Sequence, residues 1–142
     1  MKVAVLTTDG MFDSGLSVVL DVLSSANALR SDVCGAPPPI EVTVVGLGES
    51  VTTGHGLRIL TTPARELAAA PDVVVMPAPG VKESHHVISL VAGHPMLSWI
   101  NGVAEQGAAL AAACTGTFFL AEAGVLDGVG QSRAFIGIHA IN

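Results

Sequence analysis

The stretch Ala-Ala-Ala-Cys-Thr-Gly-Thr-Phe-Phe-Leu-Ala-Glu-Ala-Gly, residues 111–124, sets a thiol between a run of alanines and a Thr-Gly step. Ala108 to Ala113 reads as a small-residue strand, and a helix is expected to follow the cysteine. A nucleophile at such a junction must sit on a very sharp turn. The positions two before and two after it must then be small, or their side chains collide across the turn. Here they are Ala112 and Gly116. A turn of this kind lifts the Cys114 side chain above the sheet edge and aims the amino end of a helix at it, where backbone N–H groups favour an anion. The competing reading is a small buried hydrophobe at a strand end, a common place for cysteine.

Working outward, Lys2 to Thr7 is a short β-branched run ending at the turn-prone Asp9-Gly10, which predicts a buried parallel strand. From Ser14 to Arg30 the apolar residues Leu16, Val19, Leu20, Leu23 and Ala26 share one helical face, with Asp13 or Ser14 as cap. Pro37 to Pro39 form a stiff connector into a second strand, Ile40 to Val45. Val51 to Thr53 and Leu57 to Leu60 predict a hairpin around Gly54-His55-Gly56. A short helix over Ala64 to Ala70, a third strand over Asp72 to Met76, and helices over Glu83 to Val91 and from Pro95 to about Gln106 complete the pattern. Strands alternating with helices imply an α/β fold: a mainly parallel sheet covered on both faces, a three-layer α/β/α sandwich. Ligands of such sheets collect at the carboxyl ends of the strands. Asp9 to Ser14, Pro77 to Gly80 and Cys114 to Thr117 all leave those ends.

The composition narrows the function classes. Of the 142 residues, 50% are apolar and 13% charged, which suits a packed interior and argues against disorder. A net charge of −6, with only 6 scattered basic residues, opposes contact with a nucleic-acid backbone. No apolar run reaches membrane-spanning length, and the first strand starts too early for a leader peptide. Cys34 and Cys114 are too far apart for a disulfide framework or a zinc pattern. The expectation is a cytoplasmic domain with reduced thiols.

Residues 112–128, Ala-Ala-Cys-Thr-Gly-Thr-Phe-Phe-Leu-Ala-Glu-Ala-Gly-Val-Leu-Asp-Gly, resemble the cysteine elbow of the ThiJ/PfpI superfamily, which has the class I glutamine amidotransferase-like, flavodoxin-like fold. Asp9-Gly10-Met11-Phe12-Asp13-Ser14-Gly15-Leu16, with Leu20-Asp21-Val22-Leu23 and Ala26-Asn27, is similar to the first strand–helix junction of the domains at the front of AraC-type transcriptional regulators. The hairpin at Thr53 to Ile59 and the Pro77-Ala78-Pro79-Gly80 turn also fit. The resemblance covers residues 1–128 and implies an amidotransferase-like domain there, with 129–142 an atypical tail and the sheet incomplete at its carboxyl-terminal end. It places Cys114 on the superfamily's nucleophile and the backbone of Gly80 and Thr115 on its oxyanion hole. Gly15 and Gly116 complete the expected ligand-binding set.

Two departures accompany the resemblance. The superfamily's enzymes carry an acid on the first helix beside the cysteine, and that place falls on Gly15. The histidine many members carry about twenty residues after the cysteine falls on Ala134. Asp13, two residues from Gly15, and His139, 25 residues after Cys114, remain as candidates to move protons. The resemblance implies a small-molecule-sensing regulatory domain without catalysis, forming a homodimer through the tail or the hairpin around His55. Any DNA contact would belong to a separate module. The alternative is a cysteine-nucleophile enzyme, whether hydrolase, hydratase or glyoxalase-like. No cofactor or metal is expected: His85-His86 would need a third ligand at matching range. His55 reads as a turn residue, His94 as a loop residue, and Cys34 as incidental.

Overall fold

In the computed structural model the described residues are 1–81, 83–127 and, as backbone only, Ser84 and 135–137. Six parallel strands form the central sheet, in the order β5-β2-β1-β6-β7-β8. They are β1 (Lys2–Leu6), β2 (Glu41–Gly46), β5 (Thr62–Pro63), β6 (Val73–Met76), β7 (Ala109–Ala113) and β8 (Phe135–Gly137). β3 (Ser50–Thr52) and β4 (Arg58–Leu60) pair antiparallel as a separate hairpin. The helices are α1 (Asp13–Ala28), α2 (Ser84–Val91), α3 (Met96–Glu105) and α4 (Thr117–Glu122). Ala134 and His139 lie outside the described residues, as does the tail around them apart from β8, which pairs Ala111 with Phe135 in parallel.

Period-two alternation builds two cores. Val3, Val5, Val73 and Val75 face α1 through Leu16, Val19, Leu20 and Leu23. Ala4, Leu6, Val74 and Met76 face the opposite layer, where Met96, Ile100 and Val103 of α3 meet Phe119 and Leu120 of α4. The valine-rich strands are thus apolar on both faces, as a covered parallel sheet requires. The three-layer α/β/α arrangement expected from the sequence is present. Among the described residues no single helix is long and apolar enough to cross a membrane.

Three local expectations change. Asp13 is the first residue of α1 and not its cap; the cap position is Phe12, with no side-chain hydrogen bond. Pro95 is likewise the cap of α3, which begins at Met96. The helix expected over Ala64 to Ala70 shrinks to one 3-10 turn, Ala64–Glu66, after which Leu67 is extended. Alanine favours helix, but Pro71 disfavours helical geometry at Ala70.

Candidate active site

Cys114 follows β7 directly and opens a 3-10 turn, Cys114–Gly116, that runs into α4. Its φ is +50°, the one positive value of a non-glycine residue among those described. That conformation costs an L-residue roughly 1–2 kcal/mol, so the surrounding packing must hold it. The reason is visible two residues on: a Cβ at Gly116 would lie 2.5 Å from the Met76 carbonyl oxygen and 2.9 Å from that of Pro77. β7 and β6 run side by side, with Ala112 paired to Met76. The chain can therefore leave β7 only by folding tightly over the end of β6. The Cys114 side chain is exposed, as is that of Cys34.

The end of β6 is where the other expected ligand-binding residues meet. A Cβ at Gly80 would come within 1.8 Å of the Gly10 carbonyl oxygen, so the β6 turn and the β1–α1 loop touch backbone to backbone. The Phe12 N–H donates to the Ala78 carbonyl at 3.4 Å, tying the start of α1 to the same turn. Gly15 lies against it too: an added Cβ would meet the Pro77 Cβ at 3.5 Å and the Ala78 nitrogen at 3.8 Å, ordinary contact distances. Gly15 and Gly116 thus abut the segment Met76 to Gly80, and Gly80 joins that segment to the β1–α1 loop. Thr115 is buried, and among the described residues its hydroxyl has no hydrogen-bond partner.

The β3–β4 hairpin clamps the first junction from above. The Gly10 N–H donates to the Thr52 carbonyl at 2.8 Å, and the Gly54 N–H to that of Met11 at 2.9 Å. The Thr52 N–H donates to Asp9 Oδ1 at 2.8 Å. At the hairpin tip, His55 Nδ1 is paired with Asp13 Oδ2. The Thr53 hydroxyl beside Asp13 is the main influence holding its carboxyl below the usual carboxylate range. Partial burial pushes the other way, and the pairing with His55 lowers it further. Among the described residues Asp13 Oδ1 is buried without a hydrogen-bond partner, so the Thr53 contact falls short of a full hydrogen bond; Thr53 Oγ1 accepts from the Leu57 N–H.

Asp13 is therefore engaged with the hairpin, and among the described residues no carboxylate or imidazole hydrogen-bonds the Cys114 sulfur. The Asp13–His55 pair escaped sequence reasoning. Its members are 42 positions apart, and only the glycines flanking His55, which let the hairpin tip approach closely, hinted at a docked residue.

His94 is more than a loop residue. Its Nδ1 accepts the Met96 N–H at 3.2 Å, and its ring stands edge-on to Phe119 with centroids 5.1 Å apart. Burial lowers its pKa below 6.5. With Thr7, Thr8, Asp9 and Ser50 it lines a cavity of about 280 Å³ at the carboxyl ends of β1 and β2. Larger clefts, about 430 and 360 Å³, open around Pro71 at the opposite edge of the sheet. Cys114 lines none of these three, and the carboxyl-end crevice is the one placed where such folds bind ligands.

The model of the DJ-1/PfpI family matches residues 1–131. The chain belongs to the DJ-1/PfpI family. The fold agrees with solved members and relatives. An AraC family transcriptional regulator from Pseudomonas putida superposes with a TM-score of 0.63 at 27% identity, over 89% of this chain and 62% of that one. Drosophila melanogaster DJ-1beta gives 0.63 at 24% identity, over 87% and 60%. A two-domain protein from Anabaena variabilis with DJ-1/ThiJ/PfpI-like and ferritin-like domains gives 0.65 at 24% identity, over 90% and 34%. The chain thus spans under two thirds of the length of these structures. A comparison with curated proteins found no match.

Proposed function

We propose that this DJ-1/PfpI domain senses a small molecule at the carboxyl ends of the strands, where Cys114 is exposed, as part of an AraC-type regulator, and does not turn it over. The observation that carries the reading is that, among the described residues, no carboxylate or imidazole hydrogen-bonds the thiol. Cys114 stands at the strand–helix turn with a positive φ and is exposed, while the place that the family resemblance gives to the acid falls on Gly15, and Asp13 is paired with His55. Cysteine chemistry on amides or aldehydes needs protons moved at the reacting atoms, help commonly worth about 10²–10⁴-fold. The 27% identity to an AraC family regulator supports the regulatory half of the reading. The Thr115 hydroxyl directly after the cysteine, buried and without a partner among the described residues, leaves a polar atom that a polar ligand would satisfy.

The intact elbow favours the second reading, an enzyme with Cys114 as nucleophile and Asp13 or His139 as proton carrier. Differential alkylation tests whether the elbow presents the thiol at all. Cys34 and Cys114 are both exposed, so accessibility alone predicts similar rates. The backbone N–H groups at the start of the turn stabilise charge in the attack by Cys114, so iodoacetamide followed by mass spectrometry is expected to modify it first. Equal rates at the two cysteines would remove the elbow from either reading.

A further inference from the structure

At the amino end of α2, well outside the elbow, Glu83, His85 and His86 bring three donor atoms within 4.8 Å of one another. A histidine pair alone is a poor site, because adjacent residues on a helix point in different directions. The fold supplies the missing third donor. Glu83 precedes the helix with an extended backbone, ψ 129°, which leaves its side chain free to turn back over the first helical turn. Its Oε2 lies 3.5 Å from His85 Nε2 and 3.1 Å from His86 Nδ1. The two rings are tilted 46° to each other with centroids 4.0 Å apart, close enough for one nitrogen of each to lie within 4.8 Å of the other and of the carboxylate.

The two separations to Glu83 match those of a coordination sphere. Ligands about 2.0–2.1 Å from a zinc ion at tetrahedral angles lie about 3.3 Å apart, and the two separations to Glu83 fall on either side of that value. We propose that Glu83, His85 and His86 form a binding site for a divalent transition metal of the zinc type, with one position open to solvent or a further ligand. Two imidazoles and one carboxylate suit zinc, copper or nickel and disfavour magnesium and calcium, which prefer oxygen donors throughout. The amino end of α2 disfavours a cation, and the Glu83 carboxylate offsets it. All three side chains are exposed, so metal reaches them without opening the fold. The site lies just beyond the Pro77–Gly80 turn. A bound ion would brace the segment joining that turn to α2.

Zinc titrated calorimetrically into the full chain tests this, with Glu83→Gln, His85→Ala and His86→Ala measured alongside and circular dichroism confirming an unchanged fold. The expected result is one ion per chain, weakened by roughly tenfold or more in each variant, unaltered by His55→Ala and not displaced by magnesium. Cobalt provides a second readout: its visible absorption should appear with the wild type and be lost with His85→Ala. Either of two results would overturn the site: no binding up to about 100 μM zinc, or affinity unchanged in the His85→Ala and His86→Ala variants.

Discussion

A thiol held at φ +50° and a partly buried imidazole are the two side chains whose local setting matters most. Cys114 takes its backbone strain from packing. Two neighbours set its geometry: Gly116 cannot carry a Cβ, and Ala112 is buried against the sheet. His94 is set by burial. Removal from water disfavours the charged ring, so its pKa in the folded chain lies below the unfolded value of 6.5. As pH falls through 6.5 the unfolded chain takes up its proton first. Stability therefore declines from 6.5 down to the lowered pKa of the folded state and levels off below it. Protonation at Nδ1 would also cost the hydrogen bond accepted from Met96. In His94→Asn, Oδ1 keeps an acceptor and the titration is gone. Urea denaturation of the two proteins between pH 5 and pH 7 is expected to show this slope in the wild type and a flatter line in His94→Asn. Parallel curves would mean that His94 is no more desolvated than in the unfolded chain.

Among the elements, the turn after β6 organises the site, and three glycines around it make different demands. An alanine Cβ at Gly80 or Gly116 would enter a backbone carbonyl oxygen at 1.8 or 2.5 Å. Backbone would have to shift, at a cost of about 2 kcal/mol or more. At Gly15, inside α1, the same atom meets ordinary contacts, so Gly15→Ala gains helix propensity, about 0.5–1 kcal/mol. Thermal denaturation of the three variants should place Gly15→Ala above the wild type and the other two well below it. A destabilised Gly15→Ala would mean the helix start is tighter than the contacts indicate. The elbow was legible in the sequence because its steric rule is local: the residues two before and two after the cysteine must be small. The valine-rich strands were legible for a similar reason, period-two burial repeating within a few residues. The Asp13–His55 pair and the approach of Glu83 to the two histidines were not. The first joins the start of α1 to a hairpin tip 42 positions away, and the second depends on a side chain folding back over a helix end. β5, two residues ending in proline, carries no pattern to read, and the alanines at 68–70 suggested a helix that had no apolar stripe to bury.

For the molecule as a whole, the outer surface remains strongly apolar in places. Val18 and Val22, four residues apart on α1, are 60% and 61% exposed, and Leu60 on the hairpin is 78% exposed, with Leu57 nearby also exposed. Apolar side chains exposed in pairs, on α1 and on the hairpin, favour association. We expect a homodimer with the hairpin around His55 at its contact; light scattering over a dilution series should give twice the chain mass, and a monomer persisting at micromolar concentration would remove it. The family resemblance and the three-layer sheet were readable from one sequence because both rest on repeated pattern. Function was less so, since it turns on what stands beside a single sulfur. The central claim is that Cys114 is presented without a proton partner. Cys114-dependent turnover of small aldehydes and amides tests it most directly, with wild type, Cys114→Ser and Gly15→Glu assayed side by side. Wild type should match Cys114→Ser, and Gly15→Glu, whose carboxyl enters from the helix position facing the β6 turn, should rise above both. Turnover by the wild type that is lost in Cys114→Ser would contradict the account.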